Sequence, residues 1–225
     1  MQIEIKNNNI DDVIDLVEDL KQNLNKINLH GKRADSIVKG MLLHSRGTSG
    51  EKTLTNINDL LDQYINLAYH GMRAQNIEFN IAIEKQFDET LTKINVVPQD
   101  ISRVILNLLN NAFYACIDYK RKLSKNDSSM ENYHPKVTIT TKKNINNILI
   151  IVEDNGSGIP DSIKEKIFQP FFSTKPAGQG TGLGLSLSYD IITKVHNGEL
   201  KVKSKEGKGT AFSISLPLGQ NSENN

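Results

Sequence analysis

Residues 178–188 read GQGTGLGLSLS. Gly178, Gly180, Gly182 and Gly184 alternate, and the stretch LGLSLSYDIITKVH that follows has helical apolar spacing. Closely spaced glycines ahead of a helix N-terminus expose amide hydrogens at the positive end of the dipole, which favours phosphate. Two common phosphate-binding folds are excluded. No lysine followed by serine or threonine completes a Walker A loop. No strand directly precedes the glycines, as a dinucleotide fingerprint requires. The fold must be read from what lies upstream.

Working back along the chain, FQPFFSTKP at 168–176 gathers Phe168, Phe171 and Phe172 in a segment without a regular period. Exposed, they would leave apolar surface in water, so all three are expected to anchor the segment on the domain. Lys175 follows in the flexible part, where it could reach a phosphate or stay an ordinary exposed lysine. VEDNGSGIP at 152–160 ends a strand and opens a glycine turn. Asp154 at the strand end could accept from an exocyclic amine. Gly156 and Gly158 would let the backbone approach a flat ring, although a plain strand-ending turn would need them too. NLLNNA at 107–112 puts Asn107 and Asn111 four apart on one helix face. A carboxamide oxygen is a hard ligand that magnesium accepts, with water and phosphate in its other positions. Two such amides also suit a plain polar face or a backbone cap.

The remaining sequence supplies the scaffold. Its 225 residues suffice for one domain of ordinary size plus an extension. The 27 basic and 26 acidic side chains leave a net charge of +1, which argues against nucleic acid or a membrane surface as partner. The single cysteine, Cys116, excludes an internal disulfide and a paired-cysteine metal site, and its run ILNLLNNAFYACI marks it as a small buried hydrophobe. The polar start after Met1 is unlike a signal peptide. No apolar run approaches the roughly 18 residues of a membrane span.

Apolar spacings of three and four from Ile10 to Leu42 predict one long amphipathic helix over 10–46, after a loop or frayed end at 1–9. RGTSGE at 46–51 breaks it. A second helix follows, capped by Asn56 or Asn58. IEFNIAIEKQF at 77–87 reads as a strand with Ile77, Phe79, Ile81 and Ile83 on one face. Pro98 can open a third helix, running to residue 120. The polar stretch 120–135 reads as a turn. VTITTKK and ILIIVEDNG form a hairpin through NINN, and ELKVKSKEGKGTAFSISLPL forms another through GKG. The tail 219–225 is expected to be disordered. The class is therefore α+β: a domain over 55–218 with an antiparallel or mixed sheet and helices on one face, preceded by a long helix.

Together and in this order, the four stretches resemble the ATP-binding catalytic domain of sensor histidine kinases, in the superfamily shared with gyrase, Hsp90 and MutL. NLLNNA resembles the N box, DNGSGI the G1 box, FQPFFSTK the F box and GTGLGLSLS the G2 box. The resemblance covers about 55–218. It implies a two-layer α/β sandwich of the Bergerat type that binds ATP and magnesium under a mobile lid at 161–179. It implies that Asn111 ligates magnesium, that Asn107 lies beside the phosphates, and that both act with Lys175 in catalysis. Asp154 would hold the adenine amino group, with Gly156, Gly158, Ile159 and Phe171 around the nucleotide. Gly180, Thr181, Gly182, Leu183 and Gly184 would wrap the phosphates. Gyrase-like relatives carry a catalytic glutamate where Asn107 stands, so the resemblance implies phosphotransfer to a protein rather than simple ATP hydrolysis. Tyr114 departs from the pattern, which often has lysine or arginine there; Lys175 or Arg73 would then supply the phosphate contact.

In this family the acceptor histidine is followed by glutamate, with proline five residues on. Neither His30 nor His44 meets that pattern. NLNKINLHGKRADSIVKGMLLHSR instead resembles the second helix of the dimerisation hairpin. Residues 10–47 are thus expected to be part of a dimerisation and phosphotransfer domain, with the acceptor helix before Met1 and His30 a solvated or bundle-edge residue. Gly31 and Gly40 each disfavour a helix interior by about 1 kcal/mol relative to alanine. The apolar stripe predicts self-association through this helix. The partners implied are ATP and a response-regulator receiver domain, in the cytoplasm, with a parent protein that could be membrane-anchored. The rival readings are a catalytically silent ATP-binding and dimerisation module, an anti-sigma-type serine kinase, and a gyrase-like ATPase. The long helix and the missing glutamate count against the last two.

Overall fold

In chain order the elements are α1 (Ile10–Ser45), β1 (Thr53–Thr55), α2 (Ile57–Gln75), β2 (Ala82–Gln86), β3 (Ile94–Val96), α3 (Pro98–Lys125), β4 (Lys136–Lys143), β5 (Asn147–Asp154), α4 (Gly184–Asp190), β6 (Glu199–Lys205) and β7 (Gly209–Pro217). The computed structural model describes residues 10–45, 50–76, 79–125, 133–176 and 180–218. The expectations for 1–9, for most of the break at 46–51 and for the tail 219–225 lie outside them. The chain divides into two compact units. One holds α1 and the described residues of 173–181; the other holds the remaining elements.

α1 is a single helix of 36 residues, as its spacing predicts. Val13, Val17, Leu20, Leu24 and Ile27 recur along it at intervals of four and three, and all are exposed. Among the described residues no helix is long and apolar enough to cross a membrane.

In the second unit the five-stranded sheet has the order β2-β4-β5-β7-β6. β2 runs parallel to β4, and every other pair is antiparallel. The sheet is mixed, as expected. Its inner face follows from period-two alternation. Ile139, Val152 and Phe212 lie abreast, as do Ile150 with Ile214 and Ile148 with Leu216, and all are buried. A one-residue slip would turn this whole row to solvent, so burial locks the register. α2, α3 and α4 cover the inner face. α3 buries Ile101, Ile105, Leu108, Ala112 and Cys116 at helical spacing, and α2 adds Leu61 and Ile65.

Asn56, not Asn58, caps α2, accepting from the amides of Asn58 at 3.1 Å and Asp59 at 3.4 Å. Asn58 instead ties α2 to the sheet: its Nδ2 donates to Asp88 O, and its Oδ1 accepts from Thr141 Oγ1, each at 2.9 Å.

The structure corrects the sequence reading in three places. The strand expected from Ile77 begins only at Ala82, although Phe79 and Ile81 are buried; Ile77 lies outside the described residues. Its pairing with β4 starts at Ala82 opposite Lys136, just after Pro135, which has no N–H to extend the ladder. α3 continues past Lys120 to Lys125, into the expected turn. Good helix formers and an Asp118–Lys122 ion pair one turn apart (2.8 Å) carry it on. The last helix leaves α geometry at Ile191 for a π turn through Val195. A two-stranded antiparallel sheet of β1 and β3 had no counterpart in the sequence reading.

Ile150→Ala should lower the unfolding free energy by about 2–5 kcal/mol, whereas Ile151→Ala, on the opposite face of the same strand, should cost less than half as much. Urea unfolding of both variants checks this, and equal losses would contradict the one-sided burial of the sheet.

Candidate functional site

Asp154 ends β5 on the inner row, opposite Val137 and Thr210. It is 5% exposed, and the Gly156 amide donates to its Oδ1 at 2.8 Å. Burial pushes its pKa up to about 7, against the backbone donors of Gly156 and Thr210, which pull it down. The glycine turn that follows is wedged between α3 and the β6–β7 turn. A Cβ on Gly156 would lie 2.6 Å from the Ala115 carbonyl carbon. Gly158 has φ +70°, and a Cβ there would lie 2.2 Å from Lys205 O, so no other residue fits. Ile159 N donates to Ser204 Oγ at 2.8 Å.

Asn155, which the sequence reading passed over, holds this turn in place. Its Oδ1 accepts from Lys136 N at 2.8 Å and Tyr133 Oη at 3.2 Å, and its Nδ2 donates to His134 O at 2.8 Å. An asparagine inside a glycine turn was the available signal. Burial pushes the neighbouring Cys116 thiol up to about 11, which leaves it an inert part of the core.

Asn107 and Asn111 lie one turn apart on the edge of α3, both half-buried. Asn107 Nδ2 donates to Ser188 Oγ at 3.0 Å, and Ser188 Oγ donates to Gly184 O at 2.9 Å. A Cβ on Gly184 would sit 2.1 Å from Asn107 Oδ1. The structure therefore brings Asn107 and Gly184 into direct contact through a partner, Ser188, that the motif reading had not singled out. The four-residue spacing of Gly184 and Ser188 on one helix was the signal. Leu183 stands at the N-cap of α4 and brings no capping side chain. Further along the edge of α3, burial raises the Tyr114 pKa above the usual phenol range.

Between Ile159 and α4, a short 3-10 turn spans Asp161–Ile163. Lys164 Nζ bonds to Asp161 Oδ1 and Ser204 O. Ile167 is buried. Phe168 packs edge-on against Phe212 with centroids 6.5 Å apart, and Phe172 is half-buried against the core. Phe171 departs from the expected anchoring: it is 50% exposed, with φ 67°. The reason lies in Gly182, whose added Cβ would fall 2.3 Å from the Phe171 carbonyl carbon. The glycine loop occupies the space beside the Phe171 backbone, and the ring turns outward.

Lys175, Gly180 and Thr181 belong to the first unit. There, Lys175 is half-buried, and desolvation holds its ammonium below the usual lysine range. Its amide donates to Ser173 Oγ at 3.2 Å, and a Cβ on Gly180 would lie 2.9 Å from that oxygen. Gly178, with 177 and 179, lies outside the described residues. Among the described residues no group of three or more His, Cys, Asp or Glu could hold a metal ion.

Residues 96–220 match the family described as histidine kinase-, DNA gyrase B-, and HSP90-like ATPase. The chain is 33% identical over 195 residues to sporulation kinase C of Bacillus subtilis, covering 85% of this chain and 40% of that protein. It is 34% identical over 164 residues to sensor histidine kinase ZraS of Salmonella typhi, covering 72% and 30%. Among solved structures, the catalytic domain of histidine kinase ThkA matches with TM-score 0.60 and 29% identity, over 75% of this chain and 96% of that one. ThkA in complex with response regulator protein TrrA matches with TM-score 0.64 and 26% identity, over 91% and 53%. The chain spans less than half the length of these two curated relatives.

The raised Asp154 pKa has a definite sign. Between about pH 4 and pH 7 the folded chain keeps a proton that the unfolded chain has released, so this group's contribution to stability falls as pH rises through that window. Asp154→Asn should therefore stabilise the ligand-free chain by about 2–4 kcal/mol at about pH 8 and change little at about pH 4. Urea unfolding at the two pH values reads this; equal stability of both chains at the higher pH would show that Asp154 is not strained by its burial.

Proposed function

The chain belongs to the histidine kinase-, DNA gyrase B- and HSP90-like ATPase family, and from that footing we propose that it is the ATP-binding catalytic core of a sensor histidine kinase. Residues 55–218 are the catalytic domain, and 10–47 are part of a dimerisation and phosphotransfer domain. The reaction is transfer of the γ-phosphoryl group of ATP to a histidine nitrogen, and from there to a response-regulator aspartate in the cytoplasm. The observation that carries the reading is a buried carboxylate at the end of β5, followed by a glycine turn that packs on Ala115 of α3, the helix that also bears Asn107 and Asn111.

Asp154 accepts from the exocyclic amine of adenine. Its burial makes such a donor valuable, because an unpaired charge there is costly. The Gly156 amide fixes one carboxylate oxygen, and Gly158, Ile159 and Phe171 border the base. Asn111 offers a hard carboxamide oxygen to magnesium. That donor set fits an ion that keeps water and phosphate oxygens as its other ligands, and no rival carboxylate cluster exists among the described residues. Bound magnesium would neutralise phosphate charge. Asn107, with Nδ2 committed to Ser188, is an amide with no basic lone pair and cannot activate water, which supports transfer to protein over hydrolysis. Within the second unit, the backbone amides of Gly182, Leu183 and Gly184 hold the phosphates. The protein's work is positioning and charge neutralisation, while the acceptor supplies the nucleophile.

The exposed stripe on α1 supports pairing with the same helix of a second copy. A relative solved with a response regulator protein supports the second partner. Should this chain contain no acceptor histidine, it acts alone as a nucleotide-binding and dimerising module.

Calorimetry with ATP should show binding that Asp154→Asn weakens at least tenfold, about 1.4 kcal/mol, and a magnesium-dependent increment that Asn111→Ala abolishes. Absence of nucleotide binding by the folded chain would overturn the reading. With γ-labelled ATP, acid-labile and alkali-stable label should appear on a protein that presents an acceptor helix and not on this chain alone. Label here that disappears in His30→Ala would make the chain a complete phosphotransfer unit. Light scattering should give a mass above the monomer that rises with concentration; a constant monomer mass would remove the helix pairing.

A further inference from the structure

His196 closes the π turn and is 4% exposed. Its Nε2 accepts from the Val97 amide at 3.1 Å, and its Nδ1 meets Ile191 O at 3.0 Å. The Val97 amide can only donate, so Nε2 carries no proton and Nδ1–H donates to Ile191: a neutral ring in one tautomer. The π turn is what aims it. His196 N donates to Ile191 O, five residues back, at 3.3 Å. A continued α-helix would rotate the ring by about 100° per residue and miss α3.

Val97 immediately precedes α3 and caps it: its carbonyl accepts from Asp100 N at 3.1 Å and Ile101 N at 3.2 Å. α3 is therefore pinned to the α4–π segment twice. Asn107 meets Gly184 and Ser188 at one end, and Val97 meets His196 at the other. The charged groups acting on the ring are Lys52, from the segment before β1, and Asp100 from α3. Asp100 is 1% exposed, with Arg103 Nη1 3.7 Å from Oδ1 and no hydrogen-bond partner for Oδ2 among the described residues. Burial holds the imidazole below its usual pKa; Lys52 pushes the same way, and Asp100 opposes.

We propose that His196 is a positioning residue for the nucleotide site: its neutral ring pins the end of the α4–π segment to the start of α3 and so seats Gly184 against Asn107. The inference rests on the nucleotide-binding reading above. A proton on Nε2 sets one N–H against another and breaks the pin, so nucleotide affinity falls in acid. The sign agrees with the depressed pKa. The folded chain favours the uncharged ring, and its stability is lost as pH falls below the usual imidazole value.

The test compares ADP affinity of the full chain, His196→Gln and His196→Leu at about pH 7.5 and about pH 5.5, with circular dichroism as the folding control. Glutamine keeps an acceptor without a titration; leucine keeps neither. His196→Gln should bind within about threefold of the unaltered chain at the higher pH and lose at least about threefold less affinity on acidification, a difference that titration of Asp154 or phosphate cannot produce. His196→Leu should bind at least about fivefold more weakly than the unaltered chain at about pH 7.5, with the gap narrowing at about pH 5.5 as the unaltered ring takes up its proton. Identical acid losses in the glutamine variant and the unaltered chain, or full affinity in a folded leucine variant, would overturn the inference and leave nucleotide binding standing. A folded, unaltered chain that binds no ADP at either pH overturns the proposed function first and this inference with it. If the variants do not fold, nitrogen NMR of the unaltered chain decides: a neutral Nδ1–H ring at about pH 7.5, whose titration tracks affinity, is expected, and a ring protonated at Nε2 overturns the pin.

Discussion

Asp154 shares its strand face with Ile148, Ile150 and Val152, and much else follows from that one arrangement. The alternation that buries the core also buries this carboxylate. Pairing with β4 on one side and β7 on the other means that it cannot turn outward without carrying the apolar row with it. The chain therefore maintains a costly group at the lip of its core. It offsets part of the cost with two backbone donors. The turn after Asp154 is confined for the same reason. With the carboxylate fixed, Gly156 must pass against the Ala115 backbone and Gly158 against Lys205. Asn155, between them, points the other way to hold β4.

α3 forms the opposite wall. Its inner stripe is core, and Asn107, Asn111 and Tyr114 lie half-buried beside that stripe. Asn107 is not a free ligand waiting for a phosphate. It is already bonded to Ser188 and pressed against Gly184. The first turn of α4 and the edge of α3 thus work as one surface, and Gly184 is required because a side-chain amide occupies the place of its Cβ.

How much of this the sequence disclosed depended on whether the deciding physics was local. β4, β5 and β7 could be read because alternation persists over eight or nine residues. The glycine turns and the Asn107–Asn111 pair could be read because close approach and helical spacing restrict residue type directly. β1 and β3 are three residues each, too short to show a period. The start of β2 was set by where its partner begins, at Lys136, and no local propensity contains that. Phe171 looked like an anchor by composition, yet Gly182, eleven residues later, claimed the space. His196 and Ser188 went unremarked because their partners, Val97 and Asn107, are 99 and 81 residues away. Nor does any residue type announce a π turn.

The two units differ in how they are stabilised. Among the described residues, the buried core cluster draws on α2, α3, α4 and the strands, and contains no residue of α1. The nucleotide unit is thus built around its own apolar centre. α1 has an apolar stripe that stays in water, and a long helix with such a stripe gains its stability from packing rather than from propensity. The Gly31 position weakens the helix further, near its middle. Nucleotide binding by the second unit therefore need not depend on the helix finding a partner.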